Sequence, residues 1–187
     1  MIYQVFNYNF FAQFQAVNKN ELVEELNKEV VVGANDYDWA SKCDVSTKRL
    51  NTDKYAELLQ PNIDKFFETL QRKVNYVVDE AWLNTYKKGS FQEIHDHVPS
   101  DISCVFFLNH GKDFSEFYFR DRHSSDVSFK LRQTLGFTDL WTPQIRAGDM
   151  LFFPSNILHG VTKHNSDTLR KTLSYDCLLY TSDAADE

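Results

Sequence analysis

A chain of 187 residues that is 42% hydrophobic and 25% charged has the length of one domain with a buried core, and its composition fits neither a disordered chain nor a membrane protein. The formal charge of −7 argues against an extended nucleic-acid groove, which needs clustered Lys and Arg, and no apolar run is long enough to span a bilayer. Aromatic residues make up 15% of the chain, with 16 Phe and 9 Tyr, which suits strands facing a packed interior.

The opening MIYQVFNYNFF has no basic n-region, so no secretory leader is expected. Cys43, Cys104 and Cys177 are odd in number and far apart, as reduced thiols of a cytoplasmic protein are. Residues 1–75 read as an α-rich lead-in. Leu22, Val23 and Leu26 form an apolar stripe at helical spacing. Thr52 is placed to cap a short helix through Leu59, and Pro61 to open a second one with Ile63, Phe66, Phe67 and Leu70 on one face. The polar, aromatic-dotted stretch 32–50 between them reads as a loop over a site.

From residue 77 the pattern turns to short β runs: VVDEAWLNTY, DISCVFFLN, FSEFYFR, DMLFFP, LHGVTKH and RKTLSYD. Turn signals separate them at Lys88-Gly89, Asn109-His110-Gly111, Ala147-Gly148-Asp149 and Asn165-Ser166-Asp167. Such strands predict a sandwich or barrel.

Six histidines carry the chemistry of interest. In a strand, residues i and i+2 project from one face, so His95 and His97 point together and Asp96 points away. Two neutral imidazoles on one face begin a divalent iron site, although two solvated side chains would give the same pattern. His159, delivered by AGDMLFFPSNIL, is the best third ligand. His110 and His123 read as solvated loop residues, and His164 lies near Arg170 at the end of its strand. Arg170 stands eleven residues beyond His159 and shares a strand face with Thr172 and Ser174, a ready clamp for a carboxylate or, equally, a surface ion pair. Trp82, Asn84 and Tyr86 share a face of an earlier strand.

Three segments together resemble the Fe(II)- and 2-oxoglutarate-dependent dioxygenases, and most closely a branch frequent in marine phages and bacteria. They are AWLNTYKKGSFQEIHDH, VPSDISCVFFLN and IRAGDMLFFPSNILHGVTKHNSDTLRKTLSYD. Cys104 stands where that branch usually has glycine, and His97 where the wider superfamily has an acid. The resemblance implies a mainly β fold with N-terminal helices, a double-stranded β-helix or jelly roll of cupin type, forming a single domain over 1–176 with its β core at 77–176. It implies Fe(II) held by His95, His97 and His159, and 2-oxoglutarate held by Arg170 and Thr172 with Asn84 or Tyr86 adding a hydrogen bond. No catalytic group beyond the metal ligands is expected. The implied reaction consumes dioxygen, releases succinate and CO2, and hydroxylates a C–H bond of a small-molecule or peptidyl substrate, with no nucleic acid and no membrane involved. Two other readings stand beside it: a three-histidine cupin-type oxygenase that does not use 2-oxoglutarate, and a non-catalytic metal-binding β-barrel. Selectivity is expected in the irregular segments 32–50 and 120–144.

The last eleven residues, CLLYTSDAADE at 177–187, break the character of the chain and resemble the translation of a common transposase sequencing adapter. They are therefore expected to be an artefact following Asp176, and leaving out their three acids changes the formal net charge from −7 to −4.

Overall fold

The computed structural model describes residues 9–29, 43–123, 127–136 and 138–180. Among the described residues ten strands and three helices follow in the order β1 (Ala12–Gln15), α1 (Lys19–Lys28), β2 (Ser46–Arg49), α2 (Thr52–Thr69), β3 (Asn75–Tyr86), β4 (Gln92–His95), β5 (Ile102–Phe107), β6 (Phe117–Arg120), α3 (Phe129–Leu135), β7 (Leu140–Trp141), β8 (Asp149–Pro154), β9 (Leu158–Val161) and β10 (Arg170–Tyr180). A six-stranded sheet, β1-β8-β5-β10-β3-β2, faces a four-stranded one, β4-β9-β6-β7, and every pairing is antiparallel. This is the expected jelly roll.

Both faces of the larger sheet are covered, which explains why its central strands read as unbroken apolar runs: all six residues of β5 are buried. One face carries Leu83, Cys104, Phe106, Met150, Phe152, Leu173 and Tyr175 against Leu22, Leu26, Leu59, Ile63 and Phe66 of the helices. The other turns Tyr86, Val105, Phe107, Leu151 and Phe153 toward Phe117, Phe119 and Val161 of the smaller sheet. Since alternate residues of a strand project to opposite faces, β10 sends Arg170, Thr172, Ser174 and Asp176 into that interior while Leu173 and Tyr175 meet the helices.

The helical stripe on α1 is as expected, with Leu22 and Leu26 fully buried. The two helices expected around Pro61 are one. α2 runs through Pro61, capped by Asn51, whose side chain accepts from the Lys54 N–H at 2.9 Å, rather than by Thr52. Pro61 is tolerated because it and Glu57, whose carbonyl would have received the missing bond, both face water. Leu70 caps the end of the helix, 37% exposed, instead of joining its apolar face. The expected loop at 32–50 contains β2; its residues 32–42 lie outside the described residues. The segment 120–144, expected to be irregular, contains α3 and β7. Residues Cys177–Tyr180 complete β10 against Val78–Asn75, and 181–187 lie outside the described residues. Among the described residues no helix is long and apolar enough to cross a membrane.

Asp149 in the Gly-Asp turn serves the fold. Gly148 has φ of +92°, a conformation natural to glycine, and the buried Asp149 carboxylate accepts from Gln13, Gln15 and the Arg146 N–H, fastening β1 to the sheet.

Phe66 stacks face to face on Phe152 at 4.5 Å, joining α2 to the sheet. Phe66→Ala should cost about 3–5 kcal/mol of stability, read as a lower urea midpoint with the m-value unchanged.

Candidate metal centre

The smaller sheet brings two of the histidines together. β4 pairs with β9 so that His95 lies directly across from His159, their ring centroids 4.3 Å apart. The register shifts between Gln92 and His95, so β4 carries a bulge. One extra residue there lets Gln92 and His95, three apart, both line the interior while Ile94 faces out.

His97 is not on the strand, contrary to the expectation from strand parity. β4 stops at His95, and His97 follows in the next turn, anchored by its N–H to the Ser155 carbonyl at 2.9 Å. The ring arrives where parity would have sent it, 5.2 Å from His95 and 4.8 Å from His159. One ligand atom from each of the three histidines lies within 4.8 Å of the others.

Hydrogen bonds select which nitrogen each ring can offer. Nδ1 of His95 lies 2.7 Å from the Glu93 carbonyl, and Nδ1 of His159 lies 2.9 Å from the Ile157 carbonyl. A carbonyl only accepts, so both Nδ1 atoms carry the proton and Nε2 is left as the ligand atom. Nδ1 of His97 lies 3.0 Å from Asp176 Oδ1, with the same consequence. Burial, reinforced by the neighbouring His97, pushes His95 down to about 4. Burial, then His95 and His97, pushes His159 well below the usual histidine range. Neutral imidazoles of this kind are ready ligands for a divalent transition metal, and the group fits Fe(II). Phe117, Phe119 and Phe153 wall the His159 ring, which is 2% exposed. The Tyr118 ring lies over the next residue: a Cβ at Gly160 would come within 2.7 Å of its hydroxyl oxygen, so a larger residue there would have to displace it.

The inward face of the larger sheet completes the surroundings. Register sets Arg170 opposite Tyr86, Thr172 opposite Asn84 and Ser174 opposite Trp82. Trp82 packs 5.3 Å from His97. Asn84 accepts from the Thr47 hydroxyl at 3.0 Å and donates to Ser174 at 3.3 Å, and Tyr86 donates to Gln92 at 2.5 Å. Trp82, Asn84, Tyr86, Gln92, Thr172 and Ser174 line the space at the three histidines, which opens to a cavity of about 300 Å³.

Arg170 is 2% exposed, its guanidinium over the Tyr86 ring at 4.5 Å and the Phe107 ring at 5.6 Å. Burial opposes its charge while Tyr86 favours it. Arg170 Nη1 and Ser115 Oγ are buried with no hydrogen-bond partner, and both residues line one cavity of about 160 Å³. Phe117 separates this cavity from the histidines and lines both spaces. Two unsatisfied polar groups facing one void are what a carboxylate-sized anion would satisfy.

Asp96 lines the 300 Å³ cavity together with His95 and His97 but pairs with Arg122, and Asp101 accepts from the Leu179 N–H. His164 is fully buried, with Nδ1 receiving the Ser115 N–H and Nε2 at the Thr168 carbonyl, so both nitrogens are used in the fold. His110 and His123 are exposed. Sequence reasoning missed Ser115, Gln92 and Asp176. Only Asp176 left a signal, being two residues past Ser174 on a strand whose alternation was already read.

A family profile described as "Putative 2OG-Fe(II) oxygenase" matches residues 80–176. No curated protein matches the chain. Among solved structures it is similar to an oxidoreductase of the 2OG-Fe(II) oxygenase family from Burkholderia pseudomallei, at 12% identity and a TM-score of 0.64, covering 90% of this chain and 84% of that one. A prolyl-4-hydroxylase from Pseudomonas putida is similar at 15% identity and 0.60, covering 91% and 93%. HygX from Streptomyces hygroscopicus, solved with nickel and 2-oxoglutarate, is similar at 13% identity and 0.61, covering 89% and 82%. At these identities the neighbours speak for the fold, and the family match covers the stretch that holds all three histidines and Arg170: the chain belongs to the 2OG-Fe(II) oxygenase family.

Proposed function

We propose that the protein is an Fe(II)- and 2-oxoglutarate-dependent dioxygenase that hydroxylates a C–H bond of a small-molecule or peptidyl substrate. The observation that carries this is the unpaired donor of a buried guanidinium behind three converging imidazoles. A buried guanidinium with one donor unsatisfied is costly, and the cost is offset when an anion binds.

Iron and 2-oxoglutarate, when bound, supply the oxidising chemistry, with the co-substrate leaving as succinate and CO2. The chain's own groups do the rest. His95, His97 and His159 would hold the metal through Nε2, and three protein ligands would leave room on it for co-substrate and dioxygen. Arg170 grips the distal carboxylate, helped by the Ser115 hydroxyl and by Thr172. The Tyr86 ring lies against the guanidinium, and its hydroxyl, tied to Gln92, lines the space at the histidines. Asn84, fixed between Thr47 and Ser174, presents a rigid polar wall. The Phe117–Phe153 wall keeps water from the buried side of His159, and substrate would enter from the 300 Å³ cavity past Trp82.

Anaerobic addition of Fe(II) and 2-oxoglutarate tests the reading. A visible charge-transfer band is expected, and it should vanish in His159→Ala. If Fe(II) binds but 2-oxoglutarate adds no band, the three-histidine oxygenase without that co-substrate takes its place.

Arg170→Met separates co-substrate from scaffold. It should weaken 2-oxoglutarate binding by about 2–5 kcal/mol in calorimetry, while the melting temperature without ligand stays equal or rises, since a buried charge with an unsatisfied donor is gone.

A further inference from the structure

The three imidazoles are not held alike. His95 and His159 each give Nδ1–H to a neutral carbonyl two residues upstream, whereas His97 gives it to the Asp176 carboxylate. Asp176 is 6% exposed. Its Oδ1 also accepts from the Ser103 hydroxyl at 2.6 Å, and that hydroxyl lies 2.8 Å from Ser155 Oγ and 3.2 Å from His97 Nδ1. The sheet sets this arrangement, because Asp176 on β10 lies directly across from Ser103 on β5. Immediately after Asp176 the register of β10 against β3 shifts. Among the described residues no Lys or Arg pairs with this acid, and none lines the cavity it borders.

We propose that Asp176 is a positioning residue of the metal centre. It holds His97 in the Nδ1–H tautomer with Nε2 toward the metal, and its charge, carried through the ring, makes His97 the strongest donor of the three. The proposal rests on the metal-binding reading of the three histidines. Three neutral imidazoles bring no charge to a dication, and a carboxylate one hydrogen bond behind the ring supplies it within a site of low dielectric. An acid that only tied β10 to β5 would need Ser103 alone, without an imidazole on the same oxygen.

Titration of the full chain with Co(II), followed by its visible absorption, provides the test, with the melting temperature of the metal-free protein as a check on folding. Asp176→Asn keeps the shape and an acceptor oxygen but removes the charge, and should lower Co(II) affinity about 10–100-fold. Ser103→Ala, which frees the carboxylate to rotate, should give a smaller loss. In a His97→Asp background the sign changes: two carboxylates then face each other, so Asp176→Asn should leave affinity equal or raise it. Unchanged Co(II) affinity in Asp176→Asn, or the same fold-loss in both backgrounds, overturns the proposal and leaves the metal site standing. A wild-type chain that binds no Co(II) overturns the site and the proposal together.

Discussion

Three hydrogen bonds to Nδ1 atoms organise the site. An imidazole free to rotate can offer either nitrogen in any direction, and three such rings would not define a point. Here each ring is anchored on one side, two by the backbone and one by a carboxylate, so the opposite nitrogens are the ones available in the shared space. The anchors come from different elements: Glu93 on β4, Asp176 on β10, and Ile157 at the approach to β9. Their convergence is therefore a property of the folded sheets, and the isolated segments would not have it.

The larger sheet provides the second constraint. Its central strands are buried on both faces, which usually calls for apolar residues throughout. β10 departs from this on its inner face alone, with Arg170, Thr172, Ser174 and Asp176 at steps of two. Arg170 lies at the end beside Tyr86 and Phe107, and Asp176 at the end beside His97 and Ser103. One strand thus presents a positive group to the cavity behind the histidines and a negative group to the histidines themselves. Leu173 and Tyr175, on the opposite face, are spent on packing under α2, so stability and chemistry are assigned to alternate residues of the same strand.

Much of this was legible in the sequence. The β runs from residue 77, the turns between them, and the same-face groupings of Arg170, Thr172 and Ser174 and of Trp82, Asn84 and Tyr86 follow from a period of two, whereas the pairing of those two strands does not. The helical stripe on Leu22 and Leu26 follows from a period of 3.6. What escaped depends on tertiary context. The bulge in β4 adds one residue, and nothing local in Phe91-Gln92-Glu93-Ile94 marks it. His97 reaches the centre from a turn, so the parity that seemed to place it described the outcome without the cause. Pro61 reads as a helix start because the cost of a proline inside a helix falls when the lost bond faces water, which only the fold decides. β1, β2 and β7 are short edge elements with little period to detect. Ser115 became visible as a site residue only as an unsatisfied hydroxyl in a cavity shared with Arg170.

Diffraction at the iron absorption edge, from crystals grown without oxygen and soaked in Fe(II), bears most directly on the convergence of the three rings. One anomalous peak bonded to Nε2 of His95, His97 and His159 together is the expected result. A peak held by only two of these rings, or one bonded through any Nδ1, would contradict it.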